Sequence, residues 1–127
     1  MHKHPIVIID TNAIVFGIEN SVDIFEVAKY AFPGCTTVIS KGILHELHSL
    51  ADKRGKFSPY AKAAIKLVEN STAEINADEG NVDKWIERYI ATDSAIAITN
   101  DMKLKSLIKK KNRNAKVFSL GTDGKIR

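Results

Sequence analysis

Hydrophobic positions follow two rhythms along this chain. Residues 5–13, "PIVIIDTNA", place Ile6, Val7, Ile8 and Ile9 side by side with no polar residue between them. An unbroken β-branched run of this kind predicts a strand covered on both faces, as in a parallel sheet. Helical spacing takes over in "NSVDIFEVAKYAFPG" (20–34), with Ser21 as the expected N-cap, Ile24, Val27, Ala28 and Ala31 as the apolar stripe, and Pro33-Gly34 as the stop. "TTVIS" (36–40) is a second strand. Ser40 then caps a helix in "KGILHELHSLADKR", where Ile43, Leu44, Leu47 and Leu50 recur at helical intervals.

The same exchange of rhythms continues to the end. Ser58 followed by Pro59 predicts a helix start in "GKFSPYAKAAIKLVEN". "TAEIN" (72–76) is a short third strand, and "VDKWIERYIA" (82–91) a helix with Val82, Ile86, Tyr89 and Ile90 inward. "SAIAIT" (94–99), "NDMKLKSLIKKKN" and "AKVFSL" (115–120) add a strand, a lysine-rich helix and a fifth strand, and 121–127 is expected to be a loose tail. Strands alternating with helices predict one α/β domain over 1–127 with a mostly parallel sheet.

Composition narrows the picture a little. The 127 residues carry a net charge of +4, which suits a polyanionic partner. With one cysteine there is no internal disulfide and no cysteine zinc site. The first strand begins too early for a signal peptide, and no apolar stretch approaches the roughly 18 residues of a membrane span. A soluble, cytoplasmic protein without a membrane partner is expected.

The acids change the picture more. Asp10 ends the first strand, and Asp101 follows the fourth in "AITND". Ligands of open parallel sheets bind beyond the carboxyl ends of the strands, at the switch in strand order. If strands one and four flank that switch, Asp10 and Asp101 face one crevice, and they repel unless a proton or cation lies between them. Glu46 sits beside the apolar stripe of its helix, and Asp83 in the first turn of another, both toward the same sheet edge. Hard oxygen ligands without cysteine select Mg²⁺ or Mn²⁺, one or two ions, and suit phosphodiester hydrolysis. Each acid alone also has a plain structural reading, as a cap, a helix-dipole acid or a surface residue. The joint pattern favours a metal site.

With "VIIDTNA", "ISKGILHELHSLAD", "NVDKWI" and "AITNDMKLKSLI" in order over essentially its whole length, the chain resembles the PIN-domain nucleases. The resemblance implies a doubly wound, five-stranded parallel sheet of order 3-2-1-4-5 with helices on both faces. It also implies metal-dependent cleavage of single-stranded RNA, with Asp10, Glu46, Asp83 and Asp101 as catalytic metal ligands and Thr99 and Asn12 supporting them. Many relatives have two adjacent acids where this chain has Val82-Asp83, so Asp78, Glu79 and Asp93 are alternatives for the third position. The segment from Ile39 to Asn70 is most similar to the branch that processes small-subunit ribosomal RNA, with the toxin ribonucleases of toxin–antitoxin pairs next. The partners implied are an rRNA precursor, a second copy in a homodimer, and ribosome-assembly factors or an antitoxin.

Other motifs lead nowhere. "HELH" (45–48) spaces its histidines at i and i+3, whereas the zincin motif needs i and i+4, so a solvated helix face is expected; His2 and His4 read as a frayed terminus. A receiver domain lacks its strand-three Asp and strand-five Lys, and a haloacid-dehalogenase phosphatase lacks the second acid of D-x-D. Two basic clusters could hold a single strand by phosphate contact and stacking: Lys53, Arg54 and Lys56 beside Phe57 and Tyr60, and Lys103 and Lys105 at the head of the lysine-rich helix. A non-catalytic RNA- or protein-binding module is the alternative from another class. It has no physical need to hold four carboxylates together.

Overall fold

Five short parallel strands carry the fold: β1 (Ile6–Ile9), β2 (Thr36–Ser40), β3 (Glu74–Asn76), β4 (Ile96–Ile98) and β5 (Val117–Phe118). The computed structural model describes residues 4–127, and at Asp93 the backbone alone; His2 lies outside the described residues. The strand order is 3-2-1-4-5, as the resemblance implied, with every pair parallel. The β1 run is central because it can be: Val7, Ile8 and Ile9 are fully buried, with strands on both sides and helices above and below.

Six helices connect the strands: α1 (Thr11–Glu19), α2 (Ile24–Ala31), α3 (Lys41–Asp52), α4 (Ser58–Asn70), α5 (Val82–Asp93) and α6 (Met102–Lys111). Helices α1, α3 and α4 pack on one another, while α2 lies against β2, α5 against β4 and α6 against β5. As expected, Ser40 caps α3 by accepting the Ile43 amide at 3.1 Å, and Val82, Ile86 and Ile90 face inward on α5, joined by Trp85.

Several local expectations are corrected. Helix α1 has no counterpart in the sequence reading, because Thr, Ile, Val, Phe and Gly are weak helix formers. Burial of Ala13, Ile14, Val15 and Gly17 supplies what propensity lacks. Helix α2 starts at Ile24, not after Ser21: the Asp23 carboxylate accepts the Phe25 and Glu26 amides, and Ser21 sits in the left-handed region at φ 57°. A carboxylate is also better placed than a hydroxyl against the helix dipole. Ser58 does not cap α4. Its hydroxyl donates to the Ala51 carbonyl at 2.7 Å, joining the start of α4 to the end of α3 across a short loop.

Residues 121–127 are not loose. Ser119 and Arg127 exchange backbone hydrogen bonds of 2.7 and 2.9 Å, and Gly121 donates to the Lys125 carbonyl at 2.8 Å. The return is made at Gly124, whose φ of +79° suits glycine. A bidentate Arg127–Asp123 pair closes it, and Leu120, 2% exposed, pins the segment to the core.

Candidate active site

Because β1 and β4 run side by side with Ile9 opposite Ile98, their carboxyl ends deliver Asp10 and Thr99 to one point. The Asp10 amide donates to the Ile98 carbonyl at 3.0 Å, which continues the ladder one step beyond β1. The Asp10 side chain then turns back to cap α1, with Oδ1 accepting the Thr11 amide at 2.8 Å and Oδ2 the Thr99 hydroxyl at 2.7 Å. It is 4% exposed. Burial pushes its carboxyl up to about 6, against the pull of those two hydrogen bonds and with further upward pressure from Asp83 and Glu46.

Thr99 joins two acids. Its hydroxyl oxygen donates to Asp10 and accepts the Asp101 amide at 3.1 Å. Asp101 caps α6 through one oxygen, Oδ1, which accepts the Lys103 and Leu104 amides at 3.0 and 3.1 Å. On the other side of Asp10, the Thr11 hydroxyl donates to Glu46 Oε1 at 2.6 Å and so draws the α3 carboxylate toward the head of α1. Asn12 Oδ1 accepts the Asn100 amide at 2.9 Å, which ties the first turn of α1 to the loop between β4 and α6.

Asp10, Glu46, Asp83 and Asp101 all line one cleft of about 460 Å³, together with Thr11, Asn12 and Asn100. Burial, then Asp101 and Glu87, push the Asp83 carboxyl upward. The alternatives for its position are elsewhere: Asp78 pairs with Arg88 at 3.0 Å and accepts the Gly80 amide, and Glu79 faces His45 at 3.6 Å. The Asp93 side chain lies outside the described residues.

Asp83 is positioned by close contact between α3 and the loop before α5. The Gly42 amide donates to the Asp78 carbonyl at 3.1 Å, and a Cβ at Gly42 would stand 2.9 Å from the Gly80 carbonyl. Gly42→Ala is therefore expected to force backbone apart and cost about 1–3 kcal/mol in urea unfolding. Gly55→Ala, with nothing within 4 Å, should stay within about 0.5 kcal/mol.

The opposite wall was foreseen only at Phe57, as a stacking ring. Val15, Phe16 and Leu50 join it to make the wall apolar, and Glu19 ends it. Recognising it required the helical period of 11–19, which α1's poor propensity concealed. Among the basic residues, Lys53, Arg54 and Lys56 are exposed in the α3–α4 loop, and Lys56 Nζ lies 5.3 Å from the Phe57 ring centre. Lys103 is exposed on α6. Lys105 is only half-buried but already committed, its ammonium donating to Ser119 Oγ and the Arg127 carbonyl at 3.4 Å each. His45 and His48 are exposed, as expected.

Among the described residues no three Asp, Glu, His or Cys side chains converge closely enough, as they stand, to hold a metal ion. The donor set nevertheless fits a hard divalent cation. It is all oxygen, Asp83 and Glu46 push the Asp10 carboxyl upward as Asp101 does that of Asp83, and Asp101 keeps one oxygen free of its capping role.

Residues 7–121 match the family model described as a PIN like domain. The chain belongs to the PIN-like domain family. PIN domains are generally nucleases, and the similarities of this one agree with that. It is 25% identical to the PIN domain endonuclease Utp24 with a TM-score of 0.77, over 96% of this chain and 89% of that one. A domain of a functionally unknown protein from Methanocaldococcus jannaschii DSM 2661 shares the fold at 19% identity and a TM-score of 0.65, over 92% and 91% of the two chains. So does VapBC2 from Rickettsia felis, bound to a promoter DNA fragment, at 19% identity and 0.61, over 90% and 98%. No curated protein matches by sequence.

Proposed function

We propose that this PIN domain is a cytoplasmic, Mg²⁺- or Mn²⁺-dependent endoribonuclease that cuts single-stranded RNA in rRNA processing. One observation carries the reading: four carboxylates from four separate segments line a single cleft at the carboxyl edge of a parallel sheet. At Asp10, which is buried beside the others, a negative charge is costly without a cation to offset it. Asp10 and Asp101 would be the principal ligands, with Glu46 and Asp83 completing the set directly or through water.

A bound cation would supply an activated water and neutralise the scissile phosphate. The chain's own residues do the rest. Thr99 holds the Asp10 carboxylate and the Asp101 backbone in one hydrogen-bonded unit, which keeps the two residues side by side. Thr11 holds Glu46 at the head of α1. Lys53, Arg54 and Lys56 meet the phosphates of a strand entering past Phe57, whose exposed ring offers a stacking surface.

The rRNA-processing role rests on the likeness of the segment from Ile39 to Asn70 to that branch. The greater similarity to the endonuclease Utp24 than to VapBC2 supports it over a toxin role. An adjacent antitoxin gene, or growth arrest on expression, would favour the toxin. The deciding assay incubates the purified protein with a labelled single-stranded RNA carrying a pre-rRNA cleavage site, with Mn²⁺, with Mg²⁺ and with chelator. Cutting that needs the metal is expected. Binding without cutting, on this and other single-stranded RNAs, would replace the nuclease with a non-catalytic RNA- or protein-binding module in a ribosome-assembly complex.

A further inference from the structure

The apolar wall and Glu19 form a feature that the four acids do not explain. Thr11, Asn12, Val15, Phe16 and Glu19 all line the cleft. Their spacing, i, i+1, i+4, i+5 and i+8, is one face of a helix. The cleft therefore runs the length of α1, from the acids at its head to Glu19 at its last residue. Eight residue steps place Glu19 about 12 Å from Thr11 along the axis. That is comparable with the reach of one nucleotide from its phosphate to the far edge of its base.

Between the two ends the wall is suited to a base. Val15 and Phe16 from α1 face the same space as Leu50 from α3 and Phe57 from the α3–α4 loop. Phe57 is 41% exposed, a large ring left partly in water at the mouth. Glu19 is exposed and has no ion pair or side-chain hydrogen bond among the described residues. Its carboxylate is an acceptor only, with room for two parallel donors.

We infer that this recess is a base pocket in which Glu19 selects guanine. Single-stranded bases are read on their Watson–Crick edges. Guanine presents two adjacent donors there, N1–H and the N2 amino group, which match the two oxygens of one carboxylate. Adenine and cytosine offer one donor beside an acceptor, and uracil one donor between two acceptors. Each of these would place a lone pair against the carboxylate. Val15, Phe16, Leu50 and Phe57 cover the faces of the base, and a divalent cation held by the acids at the head of α1 would meet its phosphate. The inference deepens the nuclease reading and rests on it for the placement of the phosphate.

The test uses three seven-nucleotide uridine RNAs with guanosine, inosine or adenosine at the centre. Inosine lacks only the N2 amino group. Binding is measured by fluorescence polarisation on Asp10→Asn protein, and cutting on protein with Asp10 intact and Mn²⁺ present. The guanosine RNA is expected to bind, and to be cut, about tenfold or more better than the inosine RNA, the effect of one charge-assisted hydrogen bond. Glu19→Gln should bring the ratio to within about threefold of one. Phe57→Ala should weaken all three RNAs alike, by about tenfold, through lost stacking.

Equal treatment of guanosine and inosine would overturn the base pocket, as would a preference that survives in Glu19→Gln. Loss of cutting on all three RNAs in Glu19→Gln, with the guanosine binding preference retained, would move Glu19 into the catalytic acids. If no RNA is cut by any form, the nuclease reading fails separately, and the polarisation ratios still decide whether Glu19 recognises guanine.

Discussion

Asp10→Asn is expected to abolish RNA cutting while making the metal-free protein more stable at pH 7. The loss of activity should be at least about a hundredfold, since the substitution removes the most buried ligand of the proposed cation site. The gain in stability follows from the position of the Asp10 carboxyl, about 6 in the fold against an ordinary 3.8. A carboxyl raised in the folded state binds its proton more tightly there than in the unfolded chain. Its contribution to stability is therefore complete below about 3.8, and is lost as pH rises through about 6. The loss amounts to about 3 kcal/mol by pH 7, at 1.4 kcal/mol per pKa unit.

Asparagine has no charge to bury and can keep the local bonds. Its Oδ1 can accept the Thr11 amide while its Nδ2 donates to Thr99 Oγ1, leaving that hydroxyl free to turn to Asn12 Oδ1, 3.4 Å away. Urea unfolding in chelator at pH 4.5 and at pH 7.5 checks this. The wild type should be less stable at the higher pH by roughly 2 kcal/mol from this group, and Asp10→Asn should show little of that change. Added Mn²⁺ should raise the midpoint of the wild type at pH 7.5 by mass action and leave the variant almost unmoved. A variant less stable than wild type in chelator would show that the buried charge is not the cost argued here.

The second large effect is expected at Asn100, which the sequence reading passed over inside "AITND". Its side-chain amide clasps the Leu120 backbone, accepting the Leu120 amide at 2.9 Å and donating to the Leu120 carbonyl at 3.0 Å. Leu120 is buried, so those backbone groups have no water to turn to when the amide is removed. Asn100→Ala should cost about 2–4 kcal/mol in urea unfolding, from two hydrogen bonds and the desolvated groups left behind. Amide exchange should accelerate over 119–127 before any other part of the chain. Asn100→Asp should also be destabilising, because it keeps the acceptor, loses the donor and adds a carboxylate to a cleft that already holds five. Unchanged exchange at Leu120 in Asn100→Ala would refute the clasp.

Both residues illustrate how unevenly the molecule could be read. The β1 run was legible because burial on both faces leaves a local mark, four β-branched residues with no polar break. Asp10 stood out for the same reason, as a charge placed where that run stops. Helix α1 was not legible: its residues are apolar nearly all round, and what makes it helical is packing against α3 and α4, far along the chain. With α1 went Val15 and Phe16 of the apolar wall, and Glu19. Ser21 and Ser58 carried ordinary capping signals, yet in the fold one gives way to a better acceptor at Asp23 and the other is drawn to the Ala51 carbonyl.

The amino-acid order alone determined an α/β domain, the strands that would lie deepest, and the acids at the ends of β1 and β4. Those are local properties, set by side-chain period and by caps a few residues away. Tertiary structure alone decided that Asp83 and not Asp78 or Glu79 enters the cleft, because that turns on Gly42 meeting the loop at Gly80. It also decided that Lys105 serves the C-terminal segment, that Asn100 holds Leu120, and that the Asp10 carboxyl sits near 6. Desolvation and hydrogen bonding across 20 to 89 residues of chain depend on what the fold brings alongside a group. No short window of sequence contains that neighbour.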